Sequence, residues 1–129
     1  MEREFITYEL ALALKQLGFD EPCIKGYTEE YKKLISFANT HTNTSVKNTL
    51  PTKPFTAPLY QQAFKFFREK CNHYAFLQPT SDLISENYCF KILDQYSGKF
   101  YSKSYETYEE AEIECVKKLI EIVKIVKNK

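Results

Sequence analysis

Glycine is scarce in this chain: three in 129 residues, Gly18, Gly26 and Gly98. Neither GxxxxGK nor GxGxxG can be built from them, which excludes the phosphate-cradling loops of nucleotide-binding folds and the serine elbow of hydrolases. Tryptophan is absent, and histidine is limited to His41 and His73. The four cysteines, Cys23, Cys71, Cys89 and Cys115, form no CxxC pair, so the tight ligand knuckle of a structural zinc site is missing. No apolar run approaches the roughly 18 residues that a bilayer span requires. The start, Met1 to Glu4, lacks the basic flank and apolar stretch of a secretory signal. An excess of charge is missing too. Eighteen basic residues against seventeen acidic ones leave a net charge of +1, too little to steer nucleic acid or membrane onto the whole surface. These absences predict a cytoplasmic protein with no membrane partner, no metal or cofactor, and free thiols. Cys89 and Cys115, set among apolar residues, are expected to be small buried hydrophobes.

Hydrophobic residues at 43% and charged residues at 27% fit one domain over 1–129 with its own core. Leu10, Leu14 and Leu17 repeat at helical spacing behind Thr7 as N-cap, and Gly18 is placed to end the turn left-handed, which predicts a helix over 8–17. A short strand is expected over 23–27. Residues 31–37 suit a strand or a helical turn. The Thr-, Asn- and Pro-rich stretch from about 38 to 54 reads as a long flexible loop. Pro58 opens a second helix, 57–70, whose stripe is Leu59, Ala63, Phe66 and Phe67. Strands follow at 73–77, 87–93 and 100–104, the last two joined by a hairpin that carries Gly98. Thr107 and Glu110 make a capping box for a final helix reaching about residue 127. Its apolar face, from Ala111 and Ile113 through Leu119 and Ile122 to Ile125 and Val126, is broad enough to be either a core helix or part of a dimer contact. The expected fold is α+β: a small antiparallel sheet with helices packed on it, in the order α-β-β-α-β-β-β-α.

Candidate chemistry is sparse. Cys71 and His73 are two apart and point the same way on an extended chain, but a cysteine at a helix C-terminus sees the dipole end that disfavours its thiolate. Asp20 with Glu30 and Lys32 gives the acid-plus-ExK pattern of metal-dependent nucleases, a triplet that arises by chance at this density of Glu and Lys. Nucleic-acid binding has a better pattern. Lys99, Tyr101, Lys103 and Tyr105 alternate onto one face of the last strand, rings beside cations as single-stranded RNA or DNA requires. Lys91 on the neighbouring strand extends the patch, and Lys117, Lys118, Lys124, Lys127 and Lys129 add a basic end to the final helix. The same alternation also suits an ordinary solvent-facing strand. The helix–three strands–helix order of 57–127 is that of a double-stranded-RNA-binding domain. Its basic cluster is replaced here by Glu109, Glu110, Glu112 and Glu114.

Three stretches carry a resemblance: Phe5 to Cys23 (FITYELALALKQLGFDEPC), Ala57 to Lys70 (APLYQQAFKFFREK), and Tyr105 to Glu112 (YETYEEAE) leading into Val116 to Val123 (VKKLIEIV). Together they resemble small uncharacterised proteins of Bacteroidetes bacteria and their phages and prophages. The resemblance implies a mobile-element protein in the host cytoplasm and brings no catalytic motif. By context it points to a non-enzymatic, anti-CRISPR-type inhibitor that docks on a host protein or ribonucleoprotein, such as an RNA-targeting nuclease. Direct RNA or single-stranded DNA binding through Lys91, Lys99, Tyr101, Lys103 and Tyr105 is the alternative, and a metal-dependent nuclease comes third. Both monomer and dimer are compatible with the sequence.

Overall fold

The computed structural model describes residues 4–28, 32–46, 54–79, 87–94 and 100–127. Its elements are α1 (Tyr8–Gln16), β1 (Cys23–Tyr27), β2 (Leu34–His41), α2 (Asn43–Val46), β3 (Phe55–Thr56), α3 (Tyr60–Lys70), β4 (His73–Pro79), β5 (Tyr88–Asp94), β6 (Phe100–Tyr105) and α4 (Tyr108–Lys127). The fold is α+β, as the periodicities predict. The strands form two antiparallel three-stranded sheets, β2-β1-β3 and β4-β5-β6, where one sheet is expected from the sequence. Tertiary contacts group the chain into two compact units, Met1–Ala63 and Phe64–Lys129, divided inside α3.

In the first unit α1 buries Leu10, Ala11 and Leu14 together with Phe5, Ile6, Leu17 and Phe19. Gly18 takes φ +97° directly after the helix, the left-handed conformation its position predicts. Thr7 is extended as an N-cap should be, but its hydroxyl makes no cap bond. The turn closes on the main chain instead, Ala11 N–H donating to the Thr7 carbonyl at 2.9 Å. Strand β1 lies between β2 and β3. Tyr8, Tyr27 and Phe55 form a ring cluster with centroids 5.3 to 6.2 Å apart, and the Tyr27 hydroxyl donates to the Ile6 carbonyl at 2.8 Å.

The expected loop from 38 to 54 carries secondary structure over 38–46. β2 runs on to His41, and α2 is tied down by polar side chains rather than by an apolar stripe. Thr42 and Ser45 cap one another, Thr42 N–H donating to Ser45 Oγ and Ser45 N–H to Thr42 Oγ1. Asn43 donates to the Phe19 carbonyl at 2.8 Å and accepts from Thr56 N–H at 2.8 Å. The remainder of that stretch up to residue 53 lies outside the described residues.

In the second unit α4 packs along β4, β5 and β6. It buries Ala111, Cys115, Val116, Leu119, Ile120, Ile122 and Val123. Glu110 N–H donates to Thr107 Oγ1 at 3.1 Å, the cap bond predicted from the sequence. Register sorts the sheet into two faces. Phe90 pairs with Leu77 and Lys103, and Ile92 with Ala75 and Tyr101; this face is covered by α4, leaving Phe90 and Ile92 buried. Lys91 pairs with Phe76 and Ser102, and Leu93 with Tyr74; on this face Tyr74 and Phe76 are open to solvent while Cys89 is buried.

Candidate functional site

Of the five residues singled out on the strands, the structure brings Lys103 and Tyr105 together and sets Lys91 apart. Lys103 and Tyr105 share a face by alternation, and it is the face α4 packs against. Lys91 opposes Ser102 and therefore points to the other side. Lys99 lies outside the described residues, and of Tyr101 only the strand position is described. The Tyr105 ring is occupied: it stacks on Phe90 at 5.9 Å with 17° between planes, and Lys103 Nζ sits 5.7 Å from its centroid. The strand is thus no bare stacking platform.

Two features replace it. On the helix side, Phe90, Lys103, Tyr105, Glu114, Lys117, Lys118 and Glu121 line a groove of about 420 Å³ between β6 and α4. On the open side, Tyr74 and Phe76 stand 38% and 45% exposed on edge strand β4, with half-buried Leu93 and Lys91 beside them on β5. These two rings were missed because alternation in the 73–77 segment identifies two faces without saying which one a helix covers.

The other candidate chemistries settle into structure. Both Asp20 carboxylate oxygens are engaged by Thr44, Oδ1 accepting from its N–H and Oδ2 from its hydroxyl, each at 2.7 Å. These bonds hold the Asp20 carboxyl below its ordinary range, and the side chain serves to pin α2. Glu30 lies outside the described residues. His73 is buried, with Nδ1–H donating to the Cys71 carbonyl rather than to a thiol. All four cysteines are free. Burial pushes the Cys23 thiol up to about 11 and the Cys115 thiol up to about 12, which leaves both protonated and poor nucleophiles at neutral pH. Among the described residues no three His, Cys, Asp or Glu are grouped to hold a metal ion, and no helix is long and apolar enough to cross a membrane.

Among the carboxylates of the described residues, Glu112 is the most displaced. Burial, then the neighbouring Glu109 carboxylate, raises it to about 7. A raised carboxyl favours its protonated form in the folded state, so it costs nothing below the unfolded value near 4.5. The penalty grows as pH climbs and is complete above about 7. The group is only partly buried, and solvent screening keeps the effect near 1 kcal/mol. Glu112→Gln is therefore expected to raise stability by about 1 kcal/mol at pH 8 and to leave it unchanged at pH 4, measured by urea unfolding at both values.

No family model, curated protein or solved structure matches the chain.

Proposed function

We propose that this protein is a non-catalytic binding protein whose partner is another protein, docking on the open face of the β4-β5-β6 sheet. The observation that carries this reading is the pair of exposed rings, Tyr74 and Phe76, on a strand edge next to Leu93. Aromatic anchors surrounded by small and apolar groups are what protein interfaces favour. Lys91 is the one lysine that register places on this face among the described residues, too few cations for a phosphate backbone. Two buried thiols held protonated, a histidine committed to a main-chain carbonyl and an aspartate committed to Thr44 support a non-enzymatic role. The more specific form, a phage or prophage inhibitor of a host RNA-targeting nuclease or its ribonucleoprotein, is supported by the sequence resemblance alone.

The test is capture from a Bacteroidetes lysate with the immobilised wild type and Phe76→Ser, at low salt and at 0.5 M salt, with protein and nucleic acid both identified. A protein retained by the wild type at high salt, and bound at least about 30-fold more weakly by Phe76→Ser, is expected for a central aromatic anchor. No protein distinguishing the two baits would refute the reading. So would nucleic acid lost at high salt, or a homodimer that Phe76→Ser dissolves.

A further inference from the structure

We infer that the aromatic cluster around Tyr8, in the first unit, is a contact surface for an acidic segment of a protein, which it takes through Lys15, Lys25 and Lys32. Each of these ammonium groups stands over a ring. Lys15 Nζ lies 5.6 Å from the Phe55 centroid, Lys25 Nζ 5.0 Å from that of Phe5, and Lys32 Nζ 5.6 Å from that of Tyr8. The rings tie the three together: Tyr8 packs on Tyr27 and Phe55 at 5.7 and 5.3 Å, and Lys25 alternates onto the face of β1 that carries Tyr27. Among the described residues none of the three lysines is paired with a carboxylate, and exposed Glu9 beside Tyr8 is no exception. A ring face positions an ammonium without neutralising it, so all three charges are left to an incoming anion. Lys32 adds an independent sign. It takes φ 53°, a left-handed conformation that strains a side-chain-bearing residue and suits glycine, while its N–H closes a turn on the Thr28 carbonyl at 2.9 Å. Glycine would close the same turn without strain. What lysine adds there is an exposed ammonium over Tyr8, and strain of this kind collects where function selects the side chain. Carboxylates fit this surface better than nucleic acid does. The Tyr8 ring is packed by Tyr27 and Phe55 and capped by Lys32, so it offers no platform for a base. Three cations also make a local contact rather than a track along a phosphate backbone.

This surface uses no residue of the β4-β5-β6 sheet, so it stands independently of the Tyr74 and Phe76 docking face. The experiment is a titration of the isotopically labelled full chain with a ten-residue peptide of alternating Glu and Gly, its Gln–Gly counterpart and a ten-nucleotide thymidine strand, followed by amide chemical shifts. Saturable shifts centred on Tyr8, Lys15, Lys25 and Lys32 are expected with the acidic peptide alone, weakening steeply between about 50 and 500 mM salt as exposed charges are screened. Lys25→Gln should leave the fold intact and bind the peptide about fivefold more weakly, the upper end for one ion pair at a partly exposed position. Lys32→Gly separates binding from folding. Its affinity should also fall about fivefold, while its urea midpoint is no lower than that of the wild type because the left-handed strain is gone. Phe76→Ser should bind the peptide as the wild type does. The absence of saturable shifts with the acidic peptide overturns the inference. So do shifts centred on the lysines of α4, equal binding of the Gln–Gly peptide or the thymidine strand, undiminished binding by either lysine variant, or loss of binding in Phe76→Ser. A lowered urea midpoint for Lys32→Gly overturns it as well, since lysine would then serve the fold.

Discussion

Replacing Gly26 with alanine is expected to destabilise the protein by about 3 kcal/mol, the upper end for forcing atoms into a packed site. Gly26 is in the central strand of its sheet, paired with Ile35 on one side and Thr56 on the other. A β-carbon placed there meets the Phe37 ring and lies 2.5 Å from the Phe55 carbonyl oxygen. The ring can rotate away. The carbonyl belongs to the neighbouring strand and cannot move without breaking the ladder that positions Phe55, a side chain with no exposed surface. Glycine-to-alanine changes usually gain roughly 0.4–1 kcal/mol by restricting the unfolded chain, so the clash wins by a wide margin. Gly18→Ala provides the contrast. Nothing lies within 4 Å of its added carbon, and the cost comes from φ +97° alone, about 1 kcal/mol or slightly more. With no tryptophan in the chain, far-UV circular dichroism in urea is the direct readout. Equal midpoints for the two variants would show that the close approach at Gly26 is not a constraint on folding.

The parts of this architecture that were legible in the sequence are those built from local repeats. Leu10 and Leu14 in α1, Phe66 and Phe67 in α3, and the long stripe of α4 declare themselves at helical spacing. Gly18 and Thr107 mark ends because one conformation and one hydrogen bond suffice to set them. The segment around α2 is different. Its anchors join positions far apart in sequence, Asp20 to Thr44 and Asn43 to both Phe19 and Thr56, and polar side chains carry no periodicity to betray them. Strand β3 is two residues long and exists only through its pairing with β1. The candidate site divides in the same way. Alternation within β6 puts Lys103 and Tyr105 on one face, a property of one strand. Whether Lys91 joins them depends on the register between two strands, and the structure sets Lys91 against Ser102 on the opposite face. Lys103 and Tyr105 instead meet Lys117 and Lys118 across a helix–sheet groove, a proximity that no spacing rule encodes.

The broad apolar face of α4 can be tested for what it covers. Leu119 has no exposed surface, while Ile125, six residues further along the same helix, is 52% exposed. Leu119→Ala is expected to cost about 3–4 kcal/mol, the transfer free energy of the lost atoms plus that of the cavity left against the sheet. Ile125→Ala should fall within about 0.5 kcal/mol of the wild type, since it surrenders little buried area and alanine is the better helix former. The stripe that looks continuous in the sequence would then divide into a core portion ending near Val123 and a solvent-facing tip. If the tip were instead a contact between copies, Ile125→Ala would lower stability by more than about 1 kcal/mol. That loss would shrink on dilution, because mass action links the stability of an associated chain to its concentration. Unfolding of both variants at two protein concentrations tenfold or more apart separates the outcomes. The expected pattern, a large concentration-independent loss at Leu119 and none at Ile125, assigns the apolar face of α4 to the core of its own chain.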